Sequence, residues 1–297
     1  MTDEAVKNTP ARNGWVSETL HADIQFSFKA DKVLYEQKTD AWHLQLIENA
    51  FFGKVLMLDG ITQVTSRDEF IYHEMMAHVP ILAHGGVREV LIVGGGDCGM
   101  AEEALKHSQI TRLTQVEIDQ SVVDFSKQHF ESFNAPVFND PRFDLIIDDG
   151  AKFMAETDRR FDVIMIDSTD PIGPGAVLFT EDFYRNCHRC LNQGGVLVTQ
   201  SGVPFLQEDE LVTSIQRFSK LFADASAYVA AIPTYIGGHM ALGWASDNTE
   251  LKTISTDALT ERFNAAQIET RYYTPDVHRA AFALPKFILD AVERGRL

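Results

Sequence analysis

The first third of the chain carries the short apolar segments of antiparallel β-strands. Four such segments, with alternating or clustered apolar side chains, lie at residues 33–35, 43–47, 54–58 and 61–64. Segments of this length bounded by polar turns predict strands. Asp59-Gly60 separates the last two, and an Asp-Gly pair between apolar runs is typical of a β-hairpin. We therefore predict a small antiparallel β-strand and hairpin domain over residues 1–66.

The pattern then becomes helical and, later, alternates between strands and helices. Residues 67–84 place Phe70, Met76 and Val79 at helical spacing, with Pro80 marking an end or a kink, and this helix is predicted to link two domains. Alternation predicts an α/β domain over residues 85–297, with a mostly parallel sheet and crossover helices. Its strands are predicted at 90–93, 113–118, 143–147, 163–166 and 196–199, and its helices at 100–107, 120–130, from 151, and at 180–191.

A glycine-rich loop follows the first strand of this domain. Gly94, Gly96 and Gly99 fit the spacing Gly-x-Gly-x-x-Gly between a strand and a helix, which allows the backbone to approach a ligand closely. The next strand ends at Glu117, about 20 residues further on, where a carboxylate can accept both hydroxyls of a ribose. These residues predict a nucleoside site, for either a nicotinamide dinucleotide or an adenosyl-sulfonium compound.

Acidic residues at the strand ends favour a cationic ligand. Asp97 lies inside the glycine loop, where it would repel a pyrophosphate and attract an ammonium or sulfonium group. Further acids follow the third and fourth strands, and residues 140–182 contain 11 acidic and 4 basic residues. Because the carboxyl ends of parallel strands meet at one edge of the sheet, these acids are expected to converge on one crevice.

Composition narrows the partners and the compartment. The 297 residues carry a net charge of −17, which disfavours nucleic acid and anionic membrane surfaces as partners. The apolar runs are too short to span a membrane, residues 1–14 lack the pattern of a secretory signal, and three cysteines cannot form a disulfide framework. A cytoplasmic protein is expected. Cys187-x-x-Cys190 supplies only two sulfur ligands, so we predict no metal site.

Nine motifs in family order make the sequence resemble the polyamine aminopropyltransferases, and most closely the bacterial spermidine synthases. The resemblance covers nearly the whole chain. The motifs are Gly14-Trp15 with Glu18-Thr19, LDGITQ at 58–63, RDEFIYHEM at 67–75, GGGD at 94–97, VEID at 116–119, DDG at 148–150, DSTDPIGPG at 167–175, IPTY at 232–235, and RYY at 271–273 with AFALP at 281–285.

This resemblance implies a fold and a reaction. The fold would be a Rossmann-like, methyltransferase-type catalytic domain preceded by the small β domain. The reaction would move an aminopropyl group from decarboxylated S-adenosylmethionine to putrescine, giving spermidine and methylthioadenosine. The donor would be a co-substrate and no separate cofactor would be needed. The family also implies a homodimer or homotetramer.

The resemblance further implies roles for individual residues. Asp167 matches the catalytic acid that binds and deprotonates the attacking amine. The residues expected to meet the amine and aminopropyl groups are Trp15, Tyr72, His73, Asp97, Asp170 and Tyr235. The residues expected to meet the nucleoside are Gln63, Gly94, Gly96, Glu117, Asp149, Gly150 and Pro174. Residues 171–175, rich in Pro and Gly, are expected to form part of a lid.

Two positions depart from the family pattern. Cys98 stands where the family commonly has Gly, and Trp42 stands where bacterial relatives often have a Gln that contacts the nucleoside.

Two other functions compete with aminopropyl transfer. They are a diamine N-methyltransferase that uses ordinary S-adenosylmethionine, and a polyamine-binding protein without turnover. The choice among putrescine, cadaverine and spermidine as acceptor depends on the depth of the pocket.

Overall fold

The chain folds into two compact units. The computed structural model describes residues 14–21, 23–38, 42–168 and 173–296. One unit consists of the chain up to Glu69 together with Ile232–Gly238, and the other of Phe70–Ala231 with His239–Leu297. The first unit therefore includes a segment from the range that the sequence assigned wholly to the second domain, and the predicted domain bounds differ from the units at this segment.

The first unit is built from two antiparallel sheets. Strands β1 and β2 form a two-stranded sheet, and β3 to β6 form a four-stranded sheet in sequence order. The strands are β1 (Trp15–His21), β2 (Ile24–Lys29), β3 (Lys32–Lys38), β4 (His43–Asn49), β5 (Gly53–Leu58) and β6 (Ile61–Thr65). Asp59 and Gly60 join β5 to β6 with φ of 51° and 76°, the left-handed values that a two-residue hairpin turn favours. The predicted hairpin is confirmed.

Ile232–Gly238 is tied to the end of β6 by a buried carboxylate. Asp68 accepts hydrogen bonds from the backbone N–H and the hydroxyl of Thr234, at 2.9 and 2.7 Å. Its other oxygen accepts a hydrogen bond from the hydroxyl of Thr65 at 2.5 Å. A carboxylate saturated in this way holds two distant parts of the chain together, because breaking the contact would leave a buried charge unpaired.

The second unit alternates helices and strands and then adds an antiparallel edge. Its strands are β7 (Glu89–Gly94), β8 (Arg112–Glu117), β9 (Phe143–Ile147), β10 (Phe161–Asp167), β11 (Leu191–Gln200), β12 (Asp224–Ala231) and β13 (His239–Ser246). Its helices are α1 (Glu69–His84), which begins at the last residue of the first unit, α2 (Gly99–Leu105), α3 (Gln120–His129), α4 (Glu131–Asn134), α5 (Gly150–Glu156), α6 (Glu181–Cys190), α7 (Pro204–Ser219), α8 (Thr256–Ala266), α9 (Pro275–Ala281) and α10 (Lys286–Arg296). Pro80 lies inside α1, which continues beyond it to His84.

The seven strands of this unit form one sheet in the order β12-β13-β11-β10-β7-β8-β9. The five strands from β11 to β9 are parallel, while β13 runs antiparallel to both of its neighbours. The mostly parallel sheet predicted from the sequence is confirmed. From β7 the chain moves outward through β8 to β9 and then returns to place β10 on the other side of β7. This reversal is a topological switch point at the carboxyl ends of β7 and β10, and sheets of this kind bind ligands in a crevice at that position.

Candidate active site

The glycine loop and Asp167 meet at this crevice. Gly94, the last residue of β7, is paired with Asp167, the last residue of β10. The N–H of Gly95 donates to the carbonyl oxygen of Asp167 at 3.0 Å. A Cβ on Gly94 would lie 1.9 Å from that oxygen, and Gly94 has a φ of 84°. Glycine is therefore required there for the loop to lie against the end of β10.

A glutamine that was not predicted from the sequence holds the glycine loop in place. Nε2 of Gln115, a buried residue of β8, donates to the carbonyl oxygens of Gly94 and Gly95 at 2.9 and 2.6 Å. A buried amide must find partners, because an unpaired one costs about 1–3 kcal/mol. Strand β8 has the sequence RLTQVE, in which the neighbouring Thr114 is polar too, so the pattern of apolar positions gave no signal for Gln115.

Asp97 presents a nearly fixed carboxylate at the tip of the loop. Its Oδ1 accepts the N–H of Gly99 at 2.8 Å, and its Oδ2 lies 3.4 Å from Nε2 of His73. The side chain is 16% exposed, whereas that of His73 is 3% exposed. A Cβ on Gly99 would lie 2.1 Å from Cε1 of His73, so the third glycine of the motif allows the histidine ring to pack against the start of α2.

Asp167 has the electrostatic surroundings of a general base. The hydroxyl of Tyr72 donates to its Oδ1 at 2.8 Å. Burial and the neighbouring Asp97 carboxylate raise the pKa of Asp167 to about 7, and the Glu117 carboxylate acts in the same direction. The hydrogen bond from Tyr72 and the charge of His73 oppose this rise. A carboxylate with such a pKa can accept a proton near neutral pH, which an ordinary aspartate does poorly.

Glu117 lies at the end of β8 in a surrounding that suits a sugar and a flat base. Its side chain is buried, and burial raises its pKa although the backbone N–H groups of Asp119 and Ile118 act in the opposite direction. Ile118 follows Glu117 and has 60% of its surface exposed, and the exposed Ile147 of β9 is the strand partner of Glu117. Val122 lies close to Gly96 and is also exposed. These apolar side chains beside the Glu117 carboxylate were not predicted from the sequence.

Asp149 and Gly150 begin α5 beside the same strand ends. Oδ1 of Asp149 accepts hydrogen bonds from the N–H groups of Ala151 and Lys152 at 2.8 and 3.2 Å, so this carboxylate caps the helix. A Cβ on Gly150 would lie 2.4 Å from Cγ1 of Val93, which places Gly150 against β7.

The remaining predicted site residues lie either in the first unit or at and beside residues 169–172, which the structure does not describe. In the first unit, the hydroxyl of Tyr235 donates to the carbonyl oxygen of Gln63 at 2.6 Å, and Trp15 is 48% exposed on β1. Asp170 lies outside the described residues, as do positions 171 and 172 of the expected lid. Pro174 lies in the 3-10 helix Gly173–Phe179. The roles of all these residues stay predictions.

The two positions that depart from the family pattern have different surroundings. Cys98 is buried and has a φ of 63° and a ψ of 17°, the left-handed conformation that favours glycine. Burial and the neighbouring Asp97 and Glu117 carboxylates raise the pKa of its thiol, so it stays protonated. Trp42 lies directly before β4 and is partly buried.

The described ranges contain neither a metal-binding group nor a membrane-spanning helix. No three side chains of His, Cys, Asp or Glu converge as a metal-binding group among the residues that the structure describes. Cys187 and Cys190 are buried in α6, where the thiol of Cys190 donates to the carbonyl oxygen of Met154 at 3.8 Å. None of the described helices has the length and apolar character needed to cross a membrane.

Fold and site together define a nucleoside-binding transferase of the Rossmann-like methyltransferase type, with three mutually repelling carboxylates that suit a cationic substrate. Comparison with known proteins identifies the family. Residues 69–255 match the model of the spermine/spermidine synthase domain, and residues 14–66 match that of the spermidine synthase tetramerisation domain. The chain belongs to the spermine/spermidine synthase family, and the predicted enzyme class, a polyamine aminopropyltransferase, is confirmed.

Individual relatives agree with this assignment over nearly their full length. A polyamine aminopropyltransferase of Enterobacter sp. (strain 638) is 53% identical over 275 residues, which cover 93% of this chain and 95% of the relative. A crystal structure of spermidine synthase in complex with the transition-state analogue AdoDATO is 34% identical, with a TM-score of 0.89 and 97% of each chain covered. Spermidine synthase from Thermotoga maritima is 32% identical, with a TM-score of 0.86 and coverage of 97% and 96%. The predicted fold class is thereby confirmed.

Proposed function

We propose that this enzyme transfers the aminopropyl group of decarboxylated S-adenosylmethionine to putrescine, releasing spermidine and methylthioadenosine. The observation that carries the proposal is the set of three carboxylates at the switch point, Asp97, Glu117 and Asp167. Asp97 and Glu117 both raise the pKa of Asp167, so the site holds concentrated negative charge that a bound cation would relieve. The donor carries a sulfonium and an ammonium, and the acceptor carries two ammonium groups.

The donor would be recognised by the glycine loop and the two strands beside it. Glu117 is suited to accept hydrogen bonds from the ribose hydroxyls. Asp97 is suited to bind the ammonium at the end of the aminopropyl chain. Asp149 and Gly150 would contact the adenine, with Gly94 and Gly96 allowing close approach of the backbone. Gln63 and Pro174 are assigned to the nucleoside by family resemblance. An ordinary S-adenosylmethionine would bring a carboxylate towards Asp97, and this repulsion would favour the decarboxylated donor.

The chemical step is a displacement at the carbon next to the sulfonium. The amine nitrogen forms a bond to that carbon, the carbon–sulfur bond breaks, and its electron pair stays on the sulfur of methylthioadenosine. The leaving group is a neutral thioether and needs no proton, so the demand falls on the nucleophile. An amine with a pKa near 10 is almost fully protonated at pH 7 and must lose a proton before it can attack.

Asp167 is the residue suited to take that proton. Its Oδ1 is occupied by the hydroxyl of Tyr72, whereas its Oδ2 would lie 3.0 Å from a Cβ on Gly95 and so faces the glycine loop. The raised pKa of Asp167, about 7, narrows the gap to the ammonium, and the nearby sulfonium of the donor lowers the ammonium pKa further. His73 and Tyr72 would line the path of the acceptor, and resemblance assigns the residues Trp15, Asp170 and Tyr235 to it as well.

We further propose a cytoplasmic homodimer or homotetramer that uses neither a separate cofactor nor a metal. Cys98, Cys187 and Cys190 are buried free thiols, which suits a reducing compartment. The family model matched by residues 14–66 is named for tetramerisation, which supports an oligomer. The net charge of −17 supports the expectation of no nucleic-acid partner and no anionic membrane surface.

The decisive experiment combines product identification with one substitution. Wild-type enzyme is incubated with decarboxylated or ordinary S-adenosylmethionine and with putrescine, cadaverine or spermidine, and the products are read by mass spectrometry. Spermidine and methylthioadenosine from putrescine are expected. N-methylputrescine would instead identify a methyltransferase, and the absence of methylthioadenosine at saturating substrate would indicate a binding protein.

Asp167→Asn is expected to lower kcat by about 10²–10⁴-fold, because a general base contributes that much, while the Kd of methylthioadenosine changes little. Asp182→Asn makes the same chemical change on a side chain that is 86% exposed, and it serves as the matched control. A loss below tenfold in the Asp167 variant would remove this residue from the role of base.

A further inference from the structure

We propose that Asn134 positions Asp97 and thereby sets the affinity for the aminopropyl end of the donor. The inference rests on the proposed function, since it takes Asp97 as the residue that binds the ammonium of that group. Asn134 lies at the end of the short helix α4, outside every motif that the sequence analysis identified. Its amide connects the glycine loop to another element of the fold.

The contact is buried and its direction is fixed by chemistry. Asn134 has 0% of its surface exposed. Its Nδ2 donates to the carbonyl oxygen of Asp97 at 2.9 Å and to the carbonyl oxygen of Ser126 at 3.0 Å. Both partners can only accept hydrogen bonds, so the amide must present its nitrogen to them. Ser126 belongs to α3, and one side chain therefore connects the loop to a helix.

Asp97 depends on such an anchor because the backbone on both sides of it is irregular. Gly94, Gly95 and Cys98 all have φ between 63° and 84°, so the loop around Asp97 lacks the ladder of a regular element. Two contacts act on its carboxylate, namely the N–H of Gly99 and the ring of His73. Asn134 supplies the contact that acts on its carbonyl oxygen and so fixes the peptide from which the carboxylate projects.

The two ligands of the donor site separate this role from a general role in folding. Decarboxylated S-adenosylmethionine carries the aminopropyl ammonium that Asp97 would bind. Methylthioadenosine has the same nucleoside but no aminopropyl group, so Asp97 has no partner on it. Loss of the Asn134 amide would let the carboxylate move relative to the ammonium, and displacements of about 1 Å in a site can cost about a hundredfold. Donor binding should suffer and nucleoside binding should not.

The experiment uses two variants and a neighbouring control. Asn134→Leu keeps a similar volume without the N–H groups, and Asn134→Ser keeps a smaller polar donor. Ser126→Ala is the matched control, because it is equally buried at the same contact but supplies only its backbone oxygen to Asn134. The KM of the donor is measured at saturating putrescine, and the Kd of methylthioadenosine by titration calorimetry.

The expected result is a rise of about tenfold in the donor KM for both Asn134 variants, with the Kd of methylthioadenosine within about twofold of wild type and no change for Ser126→Ala. In an Asp97→Asn background, Asn134→Leu should have no further effect on the donor KM. Equal rises in both constants would overturn the inference, as would no rise in either. Loss of folding in both Asn134 variants would also overturn it, because the amide would then serve the fold.

Failure of the proposed function gives a different result, since wild-type enzyme would then release no methylthioadenosine from the decarboxylated donor.

Discussion

At the scale of single residues, the raised pKa of Asp167 couples catalysis to stability. The folded protein holds a proton on this carboxyl up to about pH 7, whereas an unfolded chain releases it near pH 4. Between these values the folded state binds more protons than the unfolded state, so stability falls as the pH rises. Above pH 7 both states are ionised and the loss is complete. The group that suits the chemistry therefore destabilises the empty enzyme at its working pH.

Asp167→Asn is accordingly expected to stabilise the ligand-free protein. Asparagine does not ionise, so the variant should gain over wild type progressively between pH 4 and 7, and the gain should then level at no more than about 4 kcal/mol. Thermal unfolding of both proteins at pH 4.5 and pH 8 tests this, with Asp182→Asn as the control. A difference in Tm that is the same at both pH values would contradict the raised pKa.

The sequence predicted residues of the site that follow strands, and it did not predict those that hold the backbone. Asp97, Glu117 and Asp167 could be found because strand ends converge and because these residues lie in family motifs. Gln115 and Asn134 donate to carbonyl oxygens, which every residue carries, so neither leaves a pattern of residue types. Such contacts depend on the tertiary path of the chain.

At the scale of elements, the start of α2 is strained by a non-glycine residue. Cys98 adopts the left-handed conformation at the N-cap of this helix and has no side-chain capping bond. Left-handed backbone costs an ordinary residue about 1–2 kcal/mol. The buried thiol donates to the carbonyl oxygen of Gly96 in the glycine loop at 3.8 Å, and this contact helps to offset the strain.

Two substitutions at Cys98 should therefore have unequal effects. Cys98→Gly is expected to change the free energy of unfolding by less than about 1 kcal/mol, because relief of strain offsets the lost burial and the freer unfolded chain. Cys98→Val is expected to destabilise by about 1–3 kcal/mol, since a β-branched side chain fits this conformation poorly. Denaturant unfolding of the two variants measures the difference. Equal stability would mean that the left-handed backbone is not maintained in solution.

Elements were predictable from the sequence where their inner face was apolar. Strands β7 and β10 follow that rule, and β9 has the predicted bounds of 143–147. Strand β1 was not predicted, because its inward position Glu18 is a buried acid that accepts the hydroxyl of Thr62 at 2.5 Å. Strand β12 is rich in alanine, which favours helices in isolation, and only its pairing with β13 makes it a strand. The alternation of Ile24, Phe26 and Phe28 in β2 was a usable signal.

At the scale of the whole molecule, the acidic charge should speed the capture of cationic substrates. The net charge of −17 attracts a diammonium from beyond contact distance, and salt screens this attraction over about 10 Å at 0.1 M. We expect kcat/KM for putrescine to fall as sodium chloride rises from 0.02 to 0.3 M, while kcat changes much less. Potassium chloride at equal ionic strength controls for specific ion effects. A kcat/KM that is independent of salt would show that the charge plays no part in capture.

The first unit is completed late in synthesis, because its two parts lie far apart in the sequence. Its two parts, the chain up to Glu69 and Ile232–Gly238, are separated by 162 residues that belong to the other unit. At about 5–20 residues per second, the ribosome needs about 8–30 s to synthesise that interval. During this time Asp68 has no Thr234 to bind, and the N-terminal strands must persist without their last segment. The enzyme therefore completes its N-terminal unit only after most of the catalytic sheet has been synthesised.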